Sequence, residues 1–146
     1  EARDSAGNTA LILAVQNESY RLAYILLSHG ADPNGASQWK NGAGQCSTNG
    51  YTPLMYAAEL GLTDVIRLLL EHGADPNMAH SHYGFTPLML AARNQHDDAV
   101  DELVAAGADV HLRDRSGESA LKYSRYECNS GPATRVLRGA GATTLY

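Results

Sequence analysis

With 146 residues, 44% of them hydrophobic and 18% charged, the chain can bury a core without disulfide staples, and its composition excludes a disordered, collagenous or disulfide-scaffold protein. Its formal charge of −5 disfavours a nucleic-acid partner, because gripping phosphates needs a basic face. No apolar run approaches the roughly 20 residues of a membrane helix and no charged-then-apolar leader opens the chain, so no membrane partner is expected.

The first predicted helix opens at Thr9-Ala10-Leu11, where a hydroxyl able to cap free N–H groups precedes an apolar run. A second apolar stretch, carrying Leu22 and Ile25, closes at Gly30-Ala31-Asp32-Pro33-Asn34; glycine permits the left-handed helix end and Asp-Pro-Asn is turn chemistry. A polar, Gly-rich stretch follows and holds the chain's only Trp, Trp39, beside Lys40. Thr52-Pro53-Leu54 then restarts the pattern, with Pro tolerated in the first turn and Leu54, Ala57 and Ala58 at i, i+3, i+4. After a turn at Gly61, Val65, Ile66, Leu68, Leu69 and Leu70 predict a second helix ended by Gly73, and Ala74-Asp75-Pro76-Asn77 repeats the turn. Thr86-Pro87-Leu88, Ala91, Ala92, a turn at Gln95 and Gly107-Ala108-Asp109-Val110-His111 make a third copy. Ser119-Ala120-Leu121 opens a worn fourth copy ending at Gly141-Ala142-Thr143. There Lys122, Ser124 and Arg125 replace apolar residues, the polar erosion a terminal capping unit needs. The first unit lacks that erosion, so its outer face is left to Arg3, Arg21 and Tyr24 or to a removed lead-in helix.

From opening hydroxyl to closing glycine is 21 residues in three copies and 22 in the last, so the unit is fixed and variation falls between units. No unit can bury its apolar face alone, and the units must therefore stack. This period and these words resemble the ankyrin repeat over nearly the whole chain. Asp4, Gly7, Thr9, Leu11 and Ala14 fit the family pattern in the first unit, Gly50 to Asn77 and Gly84 to His111 in the next two, and Asp114, Gly117, Ser119 and Leu121 in the last. The resemblance implies an all-α repeat solenoid: one domain over 1–146, with repeats at about 4–36, 47–79, 81–113 and 114–146. Helix pairs would stack with β-hairpin fingers along one edge, and a finger insertion would occupy about 35–48.

Departures from the pattern carry the functional reading. The stretch from Asn34 to Thr52 is about ten residues longer than its equivalents, and long loops in compact domains tend to be functional or disordered. Trp39 has no evident core to enter there, and Trp is a preferred interface anchor, so Trp39 and Lys40 read as a probe, against the blander reading of a tolerated insertion. The family's usual contact surface, finger tips and hollow-facing ends of the first helices, falls here on Tyr51, His82, Tyr83, Phe85 and Arg115 at the tips. The helix ends it implies are Leu60, Arg93 and Tyr126, beside Gln16, Asn17, Glu59, Asn94 and Glu127. The usual His after Thr-Pro-Leu is replaced by Ile12, Met55, Met89 and Lys122, with apolar packing expected in its stead. Glu102 occupies a place held by Ile25 and Leu68, and an acid there calls for a partner such as Arg135 or Arg138, or for a side chain that reaches solvent.

No catalytic or cofactor site is expected: no Gly-x-Ser-x-Gly, phosphate loop or His-Glu-x-x-His occurs. Cys46 and Cys128 are placed at opposite edges and read as two free thiols. His80 and His82 share a finger within reach of His111 on the next, but the ligand number and supporting contacts of a metal site are not in view, and no metal is expected. The partner is then another protein, bound by a chain that is monomeric when free. One reading is an enzyme inhibitor or immunity-type protein whose long finger plugs a cleft; the alternative is a regulatory or scaffolding domain of a larger protein. Nine Arg against two Lys fit a GC-rich bacterial source. A start at Glu1 suits a trimmed or a processed chain, leaving cytoplasm and periplasm both open.

Overall fold

The structure, a computed structural model, describes residues 2–40, 46–47, 50–125 and 131–143, with the side chains of 39, 40, 46 and 47 outside that description. It contains α1 (Ala10–Gln16), α2 (Tyr20–Ser28), α3 (Pro53–Leu60), α4 (Thr63–Glu71), α5 (Pro87–Arg93), α6 (Asp97–Ala105), α7 (Ala120–Tyr123) and α8 (Pro132–Gly139). Strands β1 (Trp39–Lys40) and β2 (Cys46–Ser47) form a two-residue antiparallel ladder pairing Trp39 with Ser47 and Lys40 with Cys46. Among the described residues no helix is long and apolar enough to cross a membrane.

Each helix pair closes on itself and on its neighbours. First helices α1, α3, α5 and α7 make one row and second helices α2, α4, α6 and α8 another, each touching the next of its row. Fully buried Ala14, Ala57, Ala58, Ala91 and Ala92 let the first row pack closely, while Ile66, Leu69, Leu90 and Leu103 fill the space between rows. The Oγ1 atoms of Thr9, Thr52 and Thr86 accept from the N–H groups of Ile12, Met55 and Met89 at 3.3, 3.1 and 3.3 Å, capping α1, α3 and α5. Ser119 does not follow: it makes no side-chain cap bond to α7, which is a single turn. Ile12, Met55 and Met89, standing where the family places His, are fully buried and fill that space as apolar residues. At the turn joining α3 to α4, Gly61 is left-handed and its Cα faces the His96 ring, whose Nε2 meets the Glu59 carbonyl at 3.0 Å.

The turns between units are tied by a recurrent asparagine clasp. Asn34 Nδ2 donates to the Gly73 carbonyl at 3.1 Å while its Oδ1 accepts from Asp75 N–H at 2.8 Å; Asn77 does the same to Gly107 and Asp109 at 3.5 and 2.7 Å. On the finger side one residue per unit organises each turn. The N–H groups of Asp4, Ser37, His80 and Asp114 donate to the carbonyls of Asn8, Tyr51, Phe85 and Glu118, and their own carbonyls accept from Gly7, Gly50, Gly84 and Gly117. Their side chains accept from loop N–H groups as well. Apart from β1 and β2, the described fingers are therefore short clasped turns, with single antiparallel bridges at Arg3–Thr9 and Arg113–Ser119.

Two further expectations are corrected. Glu102 turns back to Arg67 on α4 instead of forward to Arg135 or Arg138, because Arg67 and Glu102 meet where α4 and α6 stack. The carboxylate is also partly exposed, so the alternative of reaching solvent holds in part. Arg3 does not cover the first unit: its Nη1 donates to the carbonyls of Gly7 and Ala36 at 2.8 and 2.7 Å, tying the first finger to the second. Tyr20, Leu22, Tyr24 and Ile25 of α2 are consequently left exposed.

Candidate protein-binding edge

The insertion is placed by the clasp. Twelve residues lie between Ser37 and Gly50, against two between Asp4 and Gly7, and the clasp bonds at its ends are intact. Ala36 and Ser37 are buried in the frame, so the insertion starts after Ser37 and not at residue 35. Backbone pairing of Trp39 and Lys40 with Ser47 and Cys46 makes its base a hairpin. The side chains of Trp39, Lys40 and Cys46 lie outside the described part of the structure, as do Tyr126 and Cys128.

Beside the insertion runs a row of rings. Tyr56 and Tyr51 stand 5.0 Å apart between centroids, Tyr51 and His80 5.5 Å, His80 and Tyr83 5.1 Å, Tyr83 and Phe85 5.6 Å, and Phe85 and Tyr123 6.1 Å. His82 meets Tyr83 edge-on at 4.6 Å, and the Arg93 guanidinium lies 5.5 Å over Phe85 while reaching Glu59 at 3.7 Å. The row crosses from the second unit to the fourth through residues of both fingers and first helices. Tyr83 stands 46% exposed, His82 and Arg93 are exposed, and Tyr51 and Phe85 are half-buried, so the row is fixed by its inner rings and offered through its outer ones. Leu60, 42% exposed, lies at the end of α3. Arg115 joins the third and fourth fingers, its N–H donating to the Tyr83 carbonyl at 3.0 Å and Nη2 to the Ser81 carbonyl at 2.7 Å. Gly84 makes that approach possible: it is left-handed at φ +76°, and a Cβ there would come within 3.0 Å of Arg115 N.

Burial holds the phenols in their neutral form. Desolvation raises the Tyr51 pKa, helped by the Glu59 charge and opposed by Arg93. It raises that of Tyr56 too, against hydrogen bonds with Ser37 and Gln16. Burial also raises Tyr123, whose hydroxyl donates to Asp114 Oδ2 at 2.5 Å and so keeps its proton. The edge thus presents neutral hydroxyl donors, the guanidinium groups of Arg93 and Arg115 and aromatic faces, a chemistry suited to a protein surface.

Of the residues named from sequence, the structure brings Tyr51, His82, Tyr83, Phe85, Arg93 and Arg115 into one continuous group. Tyr56, His80 and Tyr123, which complete the row, were missed. The signal was available: Tyr56 and Tyr123 fall four residues after the opening Thr52 and Ser119, a position taken by Leu13 and Leu90 in the other units.

Family models for ankyrin repeats match the chain twice, three copies over residues 35–114 and one repeat over residues 6–37. The chain belongs to the ankyrin-repeat family. No curated protein matches it in a sequence search. Ankyrin repeats are generally protein–protein interaction modules and typically not enzymes, which agrees with an edge built from rings and hydrogen-bond donors. Among the described residues no three His, Cys, Asp or Glu side chains gather as a metal ion would require.

Proposed function

We propose that this ankyrin domain binds a partner protein through its finger edge, with Tyr83 and Arg93 as anchors and the inserted finger as a probe. The carrying observation is the unbroken ring row from Tyr56 to Tyr123, buried or half-buried along its inner rings and exposed at Tyr83. Tyr, Trp and Arg dominate interface hot spots, and rings already held by neighbours lose little entropy on docking. A photo-crosslinking side chain at Tyr83 should trap the partner, while the same group at Asp64 on the row of second helices should not. Trapping from Asp64 alone would move the interface to that row. Tyr83→Ala should weaken binding by roughly tenfold or more.

The finer reading is an inhibitor or immunity-type protein whose finger, carrying Trp39 at its base, enters an enzyme cleft. The length of the insertion and its anchoring by intact clasp bonds support it. A regulatory or scaffolding domain is the second reading, favoured by the exposed Tyr20, Leu22, Tyr24 and Ile25 on α2, which a neighbouring element could cover.

A further inference from the structure

The four finger clasps differ in one chemical respect. In the first and fourth units the acceptor is an aspartate: Asp4 Oδ1 takes the N–H groups of Ala6 and Asn8 at 2.9 and 2.8 Å, and Asp114 Oδ1 those of Ser116 and Glu118 at 2.8 and 3.0 Å. In the second it is the Ser37 hydroxyl, accepting from Tyr51 N–H at 2.9 Å. In the third it is a ring nitrogen: His80 Nδ1 accepts from His82 N–H at 3.1 Å and Tyr83 N–H at 3.2 Å. A nitrogen that accepts carries no proton, so the ring is neutral with its hydrogen on Nε2. A carboxylate keeps accepting down to about pH 4, but a histidine stops as soon as it takes a second proton. The two backbone N–H groups would then face a cationic N–H.

We propose that His80 is an acid-released clasp: protonation of its ring frees the turn from His80 to Phe85 and withdraws Tyr83 from the ring row. The N–H groups of His82 and Tyr83 both require an acceptor at Nδ1, which the protonated ring no longer offers. His80 is 2% exposed and its ring is packed between those of Tyr51 and Tyr83. Among the described residues, the titratable and charged groups about it include Tyr51 on the preceding finger, His82 and Tyr83 on its own, and Arg115, which reaches the Ser81 carbonyl from the fourth finger. Burial first, and the His82 charge second, hold the His80 pKa below the ordinary histidine value. Between that lowered value and the ordinary one of about 6.5 the unfolded chain binds more protons than the folded one. The clasp's contribution is therefore complete above about pH 6.5 and fades as pH falls below it.

Amide exchange and ring-nitrogen shifts of the 15N-labelled chain, followed from about pH 7.5 to about pH 5, test this in the range where histidines titrate. The protection of the His82 and Tyr83 amides should fall about tenfold, the value of a lost hydrogen bond, in step with the Nδ1 shift of His80. His80→Asp and His80→Asn, which restore the acceptor used by the other fingers, should hold that protection constant across the range, and His82→Gln should keep the transition. Amides unchanged in the native chain, or lost equally in His80→Asp and His80→Asn, would overturn the proposal. Loss of the transition in His82→Gln would do the same by assigning it to the neighbouring ring. Weaker partner binding at acid pH would rest on the protein-binding reading above, whereas the amide measurement needs no partner and separates the two failures.

Discussion

Thr52 and Thr86 cap α3 and α5 through Oγ1, each at a residue almost wholly removed from water, whereas Ser119 at the equivalent place makes no such bond to α7. Thr52→Ala and Thr86→Ala should each lower unfolding free energy by about 1 kcal/mol in urea denaturation, and Ser119→Ala by less than about 0.5 kcal/mol. Equal losses at all three would mean that the hydroxyls matter for packing and not for capping. These caps were legible because capping is local: a hydroxyl, then Pro or Ala, then an apolar residue specifies the bond without reference to the fold. His80 was not legible, although its work matches that of Asp4 and Asp114. Three residues separate it from Gly84 where two separate each aspartate from its glycine, so the clasp slips one place along the chain. Aligning the units by their sequence words sets Ser81, not His80, beside the aspartates.

The inserted finger shows how an element can be added without disturbing its unit. Ser37 and Gly50 keep the clasp bonds, at 2.8 Å from Ser37 N–H to the Tyr51 carbonyl and 3.0 Å from Gly50 N–H to the Ser37 carbonyl. Replacing residues 38–49 by the two-residue link Arg-Ser found between Asp114 and Gly117 should leave the melting temperature unchanged or slightly raised. Shortening the loop recovers about 1–2 kcal/mol of closure entropy, and the Arg of the link supplies a backbone N–H in place of that of Gln38, which donates to the Gly7 carbonyl. Partner binding should be lost with the finger; full binding by the shortened chain would reduce Trp39 to a tolerated passenger. The insertion's existence and size were readable from spacing alone, but its first residue was not, because Ala36 and Ser37 look like loop and are buried frame. The ion pair of Glu102 was misassigned for a related reason. A one-dimensional repeat shows which positions are equivalent but not which neighbour a second helix leans on, and α6 touches both α4 and α8.

A stack of this kind has two ends, and here they are built differently. The fourth unit has a polar exterior, exposing Lys122, Arg135 and Arg138 over buried Ala133, Thr134 and Leu137. The first unit leaves Leu22 and Ile25 at 45% and 42% exposure, although the equivalent Val65 and Leu68 are each at 3% where α2 lies against α4. These two side chains therefore sit at positions that an inner unit buries against the unit before it. If nothing covers them in solution, Leu22→Gln and Ile25→Gln should each change unfolding free energy by no more than about 0.5 kcal/mol. Leu68→Ala, made in the covered equivalent, should cost about 2–5 kcal/mol. A loss of more than about 1 kcal/mol from Leu22→Gln would mean the face is occupied in the folded protein. The dependence of melting temperature on protein concentration then identifies the occupant. A second copy raises it by mass action, whereas a segment of the same chain leaves it fixed.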